Sequence, residues 1–186
     1  MIHPDTYVHN TTKGLGLFAK RRFERGEIIW IIDDIDAKLA LPHYFALDAL
    51  QQKKLNIYSY LDNQNRVIIP WDEGKYVNHS CAPNSTGLLE FDNISVALRT
   101  IEPDEEIVED YSSYYGHFES FICYCGASSC RGFVTQNRPF QAELRLTLAE
   151  IAPALLSMPQ TLLTIQSSEN DLFLSTLQNV TFLAKS

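Results

Sequence analysis

The sequence predicts a mainly β body with a helical extension at its C-terminal end. Short apolar runs recur through the first three quarters of the chain, each bounded by turn residues and with few helical stretches between them, a pattern of an irregular all-β body and not of a doubly wound sheet. The last 48 or so residues then change to a helical period. A chain of 186 residues that is 45% hydrophobic can bury one ordinary core with a small appendage.

In chain order, residues 1–12 are polar and read as an irregular or short extended lead-in. Gly14-Leu15-Gly16 reads as a turn with close backbone approach, and Arg25-Gly26 marks another turn before the strand Ile28–Ile32. Gly14-Leu-Gly-Leu-Phe-Ala19 also fits a dinucleotide-binding fingerprint. It is discounted because no apolar strand precedes it and the next turn at Gly26 leaves no room for the helix that should receive a pyrophosphate. Leu41 to Lys54 reads as one helix with Pro42 in its first turn and Tyr44, Leu47 and Leu50 at helical spacing. Ile57–Leu61 and Arg66–Ile69 read as a hairpin across Asp62–Asn65. Leu88–Phe91 and Ile94–Thr100 read as a second hairpin with Asp92-Asn93 as a two-residue turn. A turn at Glu102-Pro103-Asp104 leads into an extended run from Glu106 to Tyr111. In the extension, Phe140, Leu144, Leu148, Ile151 and Leu155 form a stripe that Pro153 and Pro159 break, and Phe173, Leu177 and Val180 predict a second helix.

The net charge of −8 argues against a sequence-independent grip on nucleic acid or anionic lipid and suits a basic partner. Apolar runs such as Ile28–Ile32 fall far short of a membrane span. The opening Met-Ile-His-Pro-Asp lacks the charged and apolar regions of a secretory signal. The expected setting is intracellular, in the cytoplasm or, in a eukaryote, the nucleus. In that setting the five Asn-X-Ser/Thr sequons carry no glycosylation meaning. No residue pattern specifies an oligomeric state.

Three stretches carry chemistry. Tyr76-Val-Asn78-His79-Ser-Cys81-Ala-Pro-Asn84 gathers polar side chains whose partners must come from elsewhere in the chain. Cys123-Tyr-Cys125-(X)₄-Cys130 places three thiols within eight residues, and Cys81 is the only thiol left to complete a four-ligand structural zinc site. Buried or reactive free thiols are the other reading, with disulfides less compatible with the compartment. Asp110-Tyr111 closes the extended run Glu105–Glu109, where a tyrosine serves either core or site.

Lys13-Gly-Leu-Gly-Leu-Phe-Ala, Asn78-His-Ser-Cys-Ala-Pro-Asn84, Asp104-Glu-Glu-Ile-Val-Glu-Asp110-Tyr111 and Cys123-X-Cys-(X)₄-Cys130-Arg-Gly together resemble the SET-domain protein lysine methyltransferases with a post-SET zinc motif. The resemblance covers about residues 5 to 134, in the family's motif order. It implies a β-clip fold in which the segment ending at Tyr111 threads through a loop containing Asn78-His79, forming a pseudoknot. The implied organisation is a SET domain at 1–118, a zinc-binding segment at 119–136 and a helical extension at 137–186. S-adenosylmethionine is the implied cofactor, held by Gly14, Leu15, Gly16, Tyr76, Asn78, His79 and Phe121. Tyr111 matches the catalytic tyrosine, with Tyr58, Tyr60 and Glu109 lining the channel for the target lysine. Zinc falls to Cys81, Cys123, Cys125 and Cys130.

The implied reaction moves a methyl group to the ε-amine of a lysine in a histone or other basic protein. Deprotonating that amine at neutral pH costs about 4 to 5 kcal/mol. A dry channel and a nearby sulfonium favour the neutral amine, so positioning supplies much of the rate and no strong base is required of these residue types. His79 is read as cofactor-facing and structural, not as a base. Two residues depart from the pattern. Lys75 stands where many relatives have Arg, and Glu109 stands where the family usually has the Phe or Tyr that helps set the number of methyl groups added. Two other readings accompany this one. The first is an S-adenosylmethionine-dependent N-methyltransferase of a non-protein amine. The second is a catalytically silent SET-fold binding module, which would be expected to carry damage at Tyr111 or Asn78-His79.

Overall fold

The computed structural model describes residues 1–114, 120–135, 144–165 and 167–183. Phe140, expected on a helical stripe, and the expected borders near 118 and 136 lie outside these residues.

The chain opens with a hairpin. β1 (Thr6–Thr11) pairs antiparallel with β2 (Gly14–Ala19) in a register from Thr6↔Ala19 to Thr11↔Gly14. The glycine stretch expected as a turn is therefore a strand, and the turn is Thr12-Lys13. Gly14 leaves that turn at φ +108°, which costs a side-chain-bearing residue dearly. A polar lead-in forms a strand because its unpaired backbone groups find a complete partner in β2.

β3 (Ile28–Ile31) is the hub of the core and pairs with β9 (Ile94–Ala97), which pairs in turn with β8 (Ser85–Gly87). Ile28 and Ile31 pack into a cluster shared with the C-terminal extension, while Ile29, Trp30 and Ile32 pack into a second cluster with Leu17, Phe23, Ile68, Ile101 and Ile107. Burial on both faces explains why this strand reads as an unbroken apolar run. At about 1.5–3 kcal/mol per buried isoleucine, it outweighs any single polar contact in the fold.

β4 (Ala37–Ala40), β6 (Arg66–Ile69) and β5 (Tyr60–Leu61) form a third sheet. The helix expected over Leu41–Lys54 is two: α1 (Leu41–Phe45) and α2 (Ala49–Leu55). The Asp48 side chain accepts from Gln51 N and the Gln51 side chain accepts from Asp48 N, a capping box that restarts the helix. The first expected hairpin is present in shortened form. The second is corrected: β8 lies at Ser85–Gly87, and Leu88–Phe91 does not pair with β9. Leu89 N donates instead to Leu146 O, and Asn93 Nδ2 to Glu169 O, so the extension draws these residues away.

The extension carries α3 (Leu148–Leu155), capped by Thr147 and Glu150, and α4 (Asp171–Leu183). α3 begins later than the stripe suggested because Leu146 is held in a bridge to Leu88. It runs through Pro153 and stops two residues on. Leu148, Ile151, Leu155, Leu162, Phe173 and Leu177 close the cluster over β3 and β9. Below it, Arg145 forms a buried pair with Asp92 and donates to Leu88 O.

β10 (Glu106–Glu109) lies between β2, antiparallel, and β7 (Asn78–His79), parallel, giving the order β1-β2-β10-β7. Residues 78–84 wrap it. Asn84 Oδ1 accepts from Val108 N, Asn84 Nδ2 donates to Glu106 O, Asn84 N donates to Val108 O and Ser80 N donates to Glu109 O. This is the crossing expected of the β-clip. A last pair, β11 (Phe121–Ile122) and β12 (Phe133–Val134), carries the thiol segment.

Arg145→Met leaves Asp92 charged and buried, and removing one partner of such a pair typically costs about 3–5 kcal/mol. Urea denaturation is expected to show a loss of that size, and a loss below about 1 kcal/mol would show the pair to be dispensable.

Candidate active site

Two cavities meet at Tyr111. The smaller, about 120 Å³, is walled by Trp30, Tyr58, Tyr60, Ile107, Tyr114 and Glu109. The larger, about 750 Å³, is lined by Lys13, Asn78, His79, Phe121, Cys123 and Tyr124 among others. Asn56, Ile57 and Tyr111 line both.

The threading of β10 puts Tyr111 at this junction. Its backbone N–H donates to His79 Nδ1 at 3.2 Å and its hydroxyl to Val77 O at 2.8 Å. Burial, reinforced by Glu109 and Glu106, raises its pKa well above the ordinary phenol value, so it stays protonated at neutral pH. His79 is buried against Tyr111 and Phe121, with ring centroids 5.4 and 5.5 Å away. Burial lowers its pKa to about 4 against the opposing pull of Asp110. Because Nδ1 accepts from Tyr111, the proton of this neutral ring sits on Nε2, which faces Cys81 Sγ at 3.4 Å. That position orients and does not abstract.

Asn78 Nδ2 donates to Leu15 O at 3.0 Å and to Glu106 Oε1 at 2.8 Å, and Glu106 pairs with Lys13 at 2.9 Å. Gly16 permits this arrangement. A Cβ there would stand 2.7 Å from Glu106 Oε1 and 3.0 Å from Asn78 Nδ2. Lys13, Glu106 of β10 and Asn78 of β7 thus bring a cation, a carboxylate and an amide together beside the start of β2, next to the larger cavity.

The small cavity's wall comes from alternation on two strands. Ile94 and Val96 of β9 face the extension while Ser95 faces inward, and on β10 Ile107 and Glu109 share one face. Glu109 is therefore a carboxylate at an apolar-face position. It accepts from the hydroxyls of Ser95 and Tyr114, and burial raises its pKa against those bonds. Tyr60 donates to Asp92 O at 2.9 Å, and Lys75 Nζ to Trp71 O at 3.0 Å. A single lysine contact to a carbonyl needs a charge and not a bidentate fork, which suits Lys in place of Arg.

Of the residues singled out in the sequence, Asn78, His79, Phe121 and Tyr111 line the large cavity, and Tyr58, Tyr60, Glu109 and Tyr111 the small one. Gly14, Leu15 and Gly16 line neither. They form the adjoining strand edge, which reaches the site through Leu15 O. Tyr76 also lines neither cavity, and its ring packs on Tyr58 at 5.9 Å. Sequence reasoning missed Trp30, Ser95 and Tyr114. Strand alternation beside Ile94 and Val96 was the available signal for Ser95, and none marked Trp30 apart from its neighbouring isoleucines.

Cys81, Cys123, Cys125 and Cys130 place their sulfurs within 4.8 Å of one another, so the cluster could hold a metal ion. Burial pushes the Cys123 thiol up to about 12. For Cys125 the backbone N–H groups of Cys81 and Ala127 and the neighbouring thiols outweigh burial and bring it down to about 6. Arg131 joins this segment to the site, donating from its backbone to Cys81 Sγ and from its side chain to Asp110 at 2.6 Å. Such an arrangement accepts a slender chain with a polar tip on one side, a larger polar ligand on the other, and group transfer between them beside a phenol.

Residues 14–112 match the family described as SET domain. The chain is 33% identical over 87 residues to "Histone-lysine N-methyltransferase, H3 lysine-4 specific" of Emericella nidulans, covering 41% of this chain and 7% of that protein. It is 29% identical over 133 residues to "Histone-lysine N-methyltransferase 2D" of Homo sapiens, covering 64% and 2%. It is 37% identical over 67 residues to "Histone-lysine N-methyltransferase Set2" of Drosophila melanogaster, covering 32% and 3%. The chain thus spans less than a tenth of the length of these relatives.

Metal analysis of the purified protein is expected to find one tightly held ion per chain and almost none in Cys130→Ser. Equal, near-zero content in both proteins would refute the metal reading of the cluster.

Proposed function

The chain belongs to the SET-domain family, and on that premise we propose that it transfers a methyl group from S-adenosylmethionine to the ε-amine of a lysine in a histone or other basic protein. The observation that carries this reading is the meeting of the two cavities at Tyr111.

The larger cavity falls within the range of small-molecule sites and suits the cofactor. Phe121 would pack against the adenine. Asn78, the Lys13–Glu106 pair and Leu15 O match a zwitterionic amino-acid end, acceptors for its ammonium and a cation for its carboxylate. When bound, S-adenosylmethionine supplies an electrophilic methyl group on a sulfonium centre. The smaller cavity would hold the lysine stem between Trp30, Tyr58, Tyr60 and Tyr114, excluding water. The Tyr111 hydroxyl, protonated and fixed by Val77 O, would accept from the amine and aim its lone pair toward the larger cavity.

Zinc suits the thiols. A tetrahedral site with Zn–S bonds of about 2.3 Å needs sulfurs about 3.8 Å apart, and Cys81 Sγ lies 3.9 Å from Cys123 Sγ. The ion would hold the segment around 123–130 to the stretch that carries Asn78 and His79. We read residues 1–118 as the SET domain, 119–136 as the zinc-binding segment and 137–186 as a buttressing extension. An intracellular setting, nuclear in a eukaryote, follows from the proposed substrate. Among the described residues no helix is long and apolar enough to cross a membrane.

Radiolabelled methyl transfer to a panel of histones and ribosomal proteins is the direct test. Tyr111→Phe is expected to lose at least about 10²-fold in rate while binding S-adenosylmethionine within a few-fold of wild type by calorimetry. A wild-type protein that binds no S-adenosylmethionine ends the proposal. Cys81→Ser is expected to lose zinc and to weaken cofactor binding together, and zinc loss with cofactor affinity intact would show the two sites to be uncoupled.

A further inference from the structure

Resting on that reading, we propose that Glu109 is the residue that receives the substrate ammonium and takes its proton. Of the ionisable groups facing the small cavity, all but Glu109 are otherwise engaged or unable to take a proton.

Tyr60 gives its proton to Asp92 O, Tyr111 to Val77 O and Tyr114 to Glu109. All three are phenols held above their ordinary pKa by burial first of all. They can orient an amine but cannot remove a proton from an ammonium. Tyr58 is 44% exposed and packs on Tyr76. Lys75 is a cation and donates to Trp71 O. Asp92 is a carboxylate, but its charge is met by Arg145 and by Asn63 N at 2.6 Å. From β7, His79 offers Nδ1 to the Tyr111 backbone and faces Cys81 with Nε2.

Glu109 is what remains. Its polar partners among the described residues are neutral hydroxyls, Ser95 on one oxygen and Tyr114 on the other, with the Ser85 hydroxyl, which donates to Val108 O, also beside it. Arg145, across that network, is stacked on the Tyr114 ring at 4.7 Å and paired with Asp92. A buried carboxylate without a cationic partner is costly, and a lysine ammonium entering an aromatic tube has the same difficulty in the opposite sign. Each offsets the other. A carboxylate has about four lone-pair positions, so even with all three hydroxyls beside it one is left for the amine.

Burial also raises the proton affinity of Glu109, which brings it closer to that of a desolvated lysine. In the transfer an N–H bond breaks with its electron pair left on nitrogen, and an O–H bond forms on a Glu109 oxygen. The neutral amine then has its pair free beside Tyr111. Glu109 returns the proton to solvent when the channel empties.

The test compares wild type, Glu109→Gln and Glu109→Asp in methyl transfer to core histones between pH 6 and 10, with S-adenosylmethionine affinity as the check on folding. Glu109→Gln keeps the shape and hydrogen-bonding capacity of the side chain. It is expected to bind cofactor like wild type yet lose about 10²-fold in rate at pH 7. That deficit should shrink toward pH 10, where the substrate arrives as free amine, and Glu109→Asp should recover part of the rate. A Gln variant within twofold of wild type at pH 7, or a deficit equal at every pH, overturns the proposal.

If wild type binds the cofactor but methylates nothing, the reading of the preceding subsection fails. Glu109 is then decided by calorimetry with n-butylammonium. At least tenfold weaker binding to Glu109→Gln than to wild type supports the proposal, and equal binding overturns it.

Discussion

The clasp of residues 78–84 around β10 is the interaction on which the rest of this structure depends. Asn84 alone meets Val108 and Glu106 with both ends of its amide and with its backbone. Both cavities and the thiol cluster draw on that clasp. Its leading edge, Asn78 and His79, faces the large cavity. The strand it grips ends in Glu109, two residues before Tyr111, and the clasp's middle residue, Cys81, reaches the thiols of the segment beyond 120. Without the crossing, those groups belong to separate parts of the chain.

Two kinds of burial surround the clasp. β3 and β9 divide an apolar core between the site side and the extension side, with side chains alternating between them. The polar network Asp92–Arg145, Tyr60, Tyr114 and Glu109 crosses that division. The extension therefore does more than cover apolar surface. It supplies the guanidinium against which the Tyr114 ring is stacked, and that ring forms part of the wall of the small cavity. A segment whose sequence showed only apolar stripes and no His or Cys thus bears on the geometry of the small cavity through one arginine.

What was legible in the sequence and what was not follow from how local each feature is. Strands with a strong apolar run, such as Ile28–Ile31, and helix α4, with Phe173 and Leu177 on one face, follow from pattern alone. The β1–β2 hairpin was missed because β1 is polar and held by backbone pairing, and because the glycines of β2 read as a turn although Leu17 and Ala19 alternate into the core. The second hairpin was shifted because Leu88 and Asn93 have partners more than fifty residues away, which no local turn signal encodes. At the site, Asn78, His79, Tyr111 and the thiol set stand within the family-like motifs, whereas Tyr58 and Tyr60 were singled out only by their place in the hairpin before them. Ser95 and Tyr114, which line the small cavity and bond to Glu109, were not. Tyr76 adjoins the right residues in sequence, yet its ring turns to Tyr58.

The sequence separations across the clasp bear on how the molecule comes to exist. Val108 finds Asn84 across 24 residues, the Tyr111 hydroxyl finds Val77 across 34, and Cys81 finds Cys123 across 42. Loop closure must be met before any of these contacts repays it, the situation that makes β topologies slow to fold. No stretch shorter than residues 77–111 contains a rudiment of the junction at Tyr111. The site has no local nucleus, and it exists only once the strand has passed through the loop.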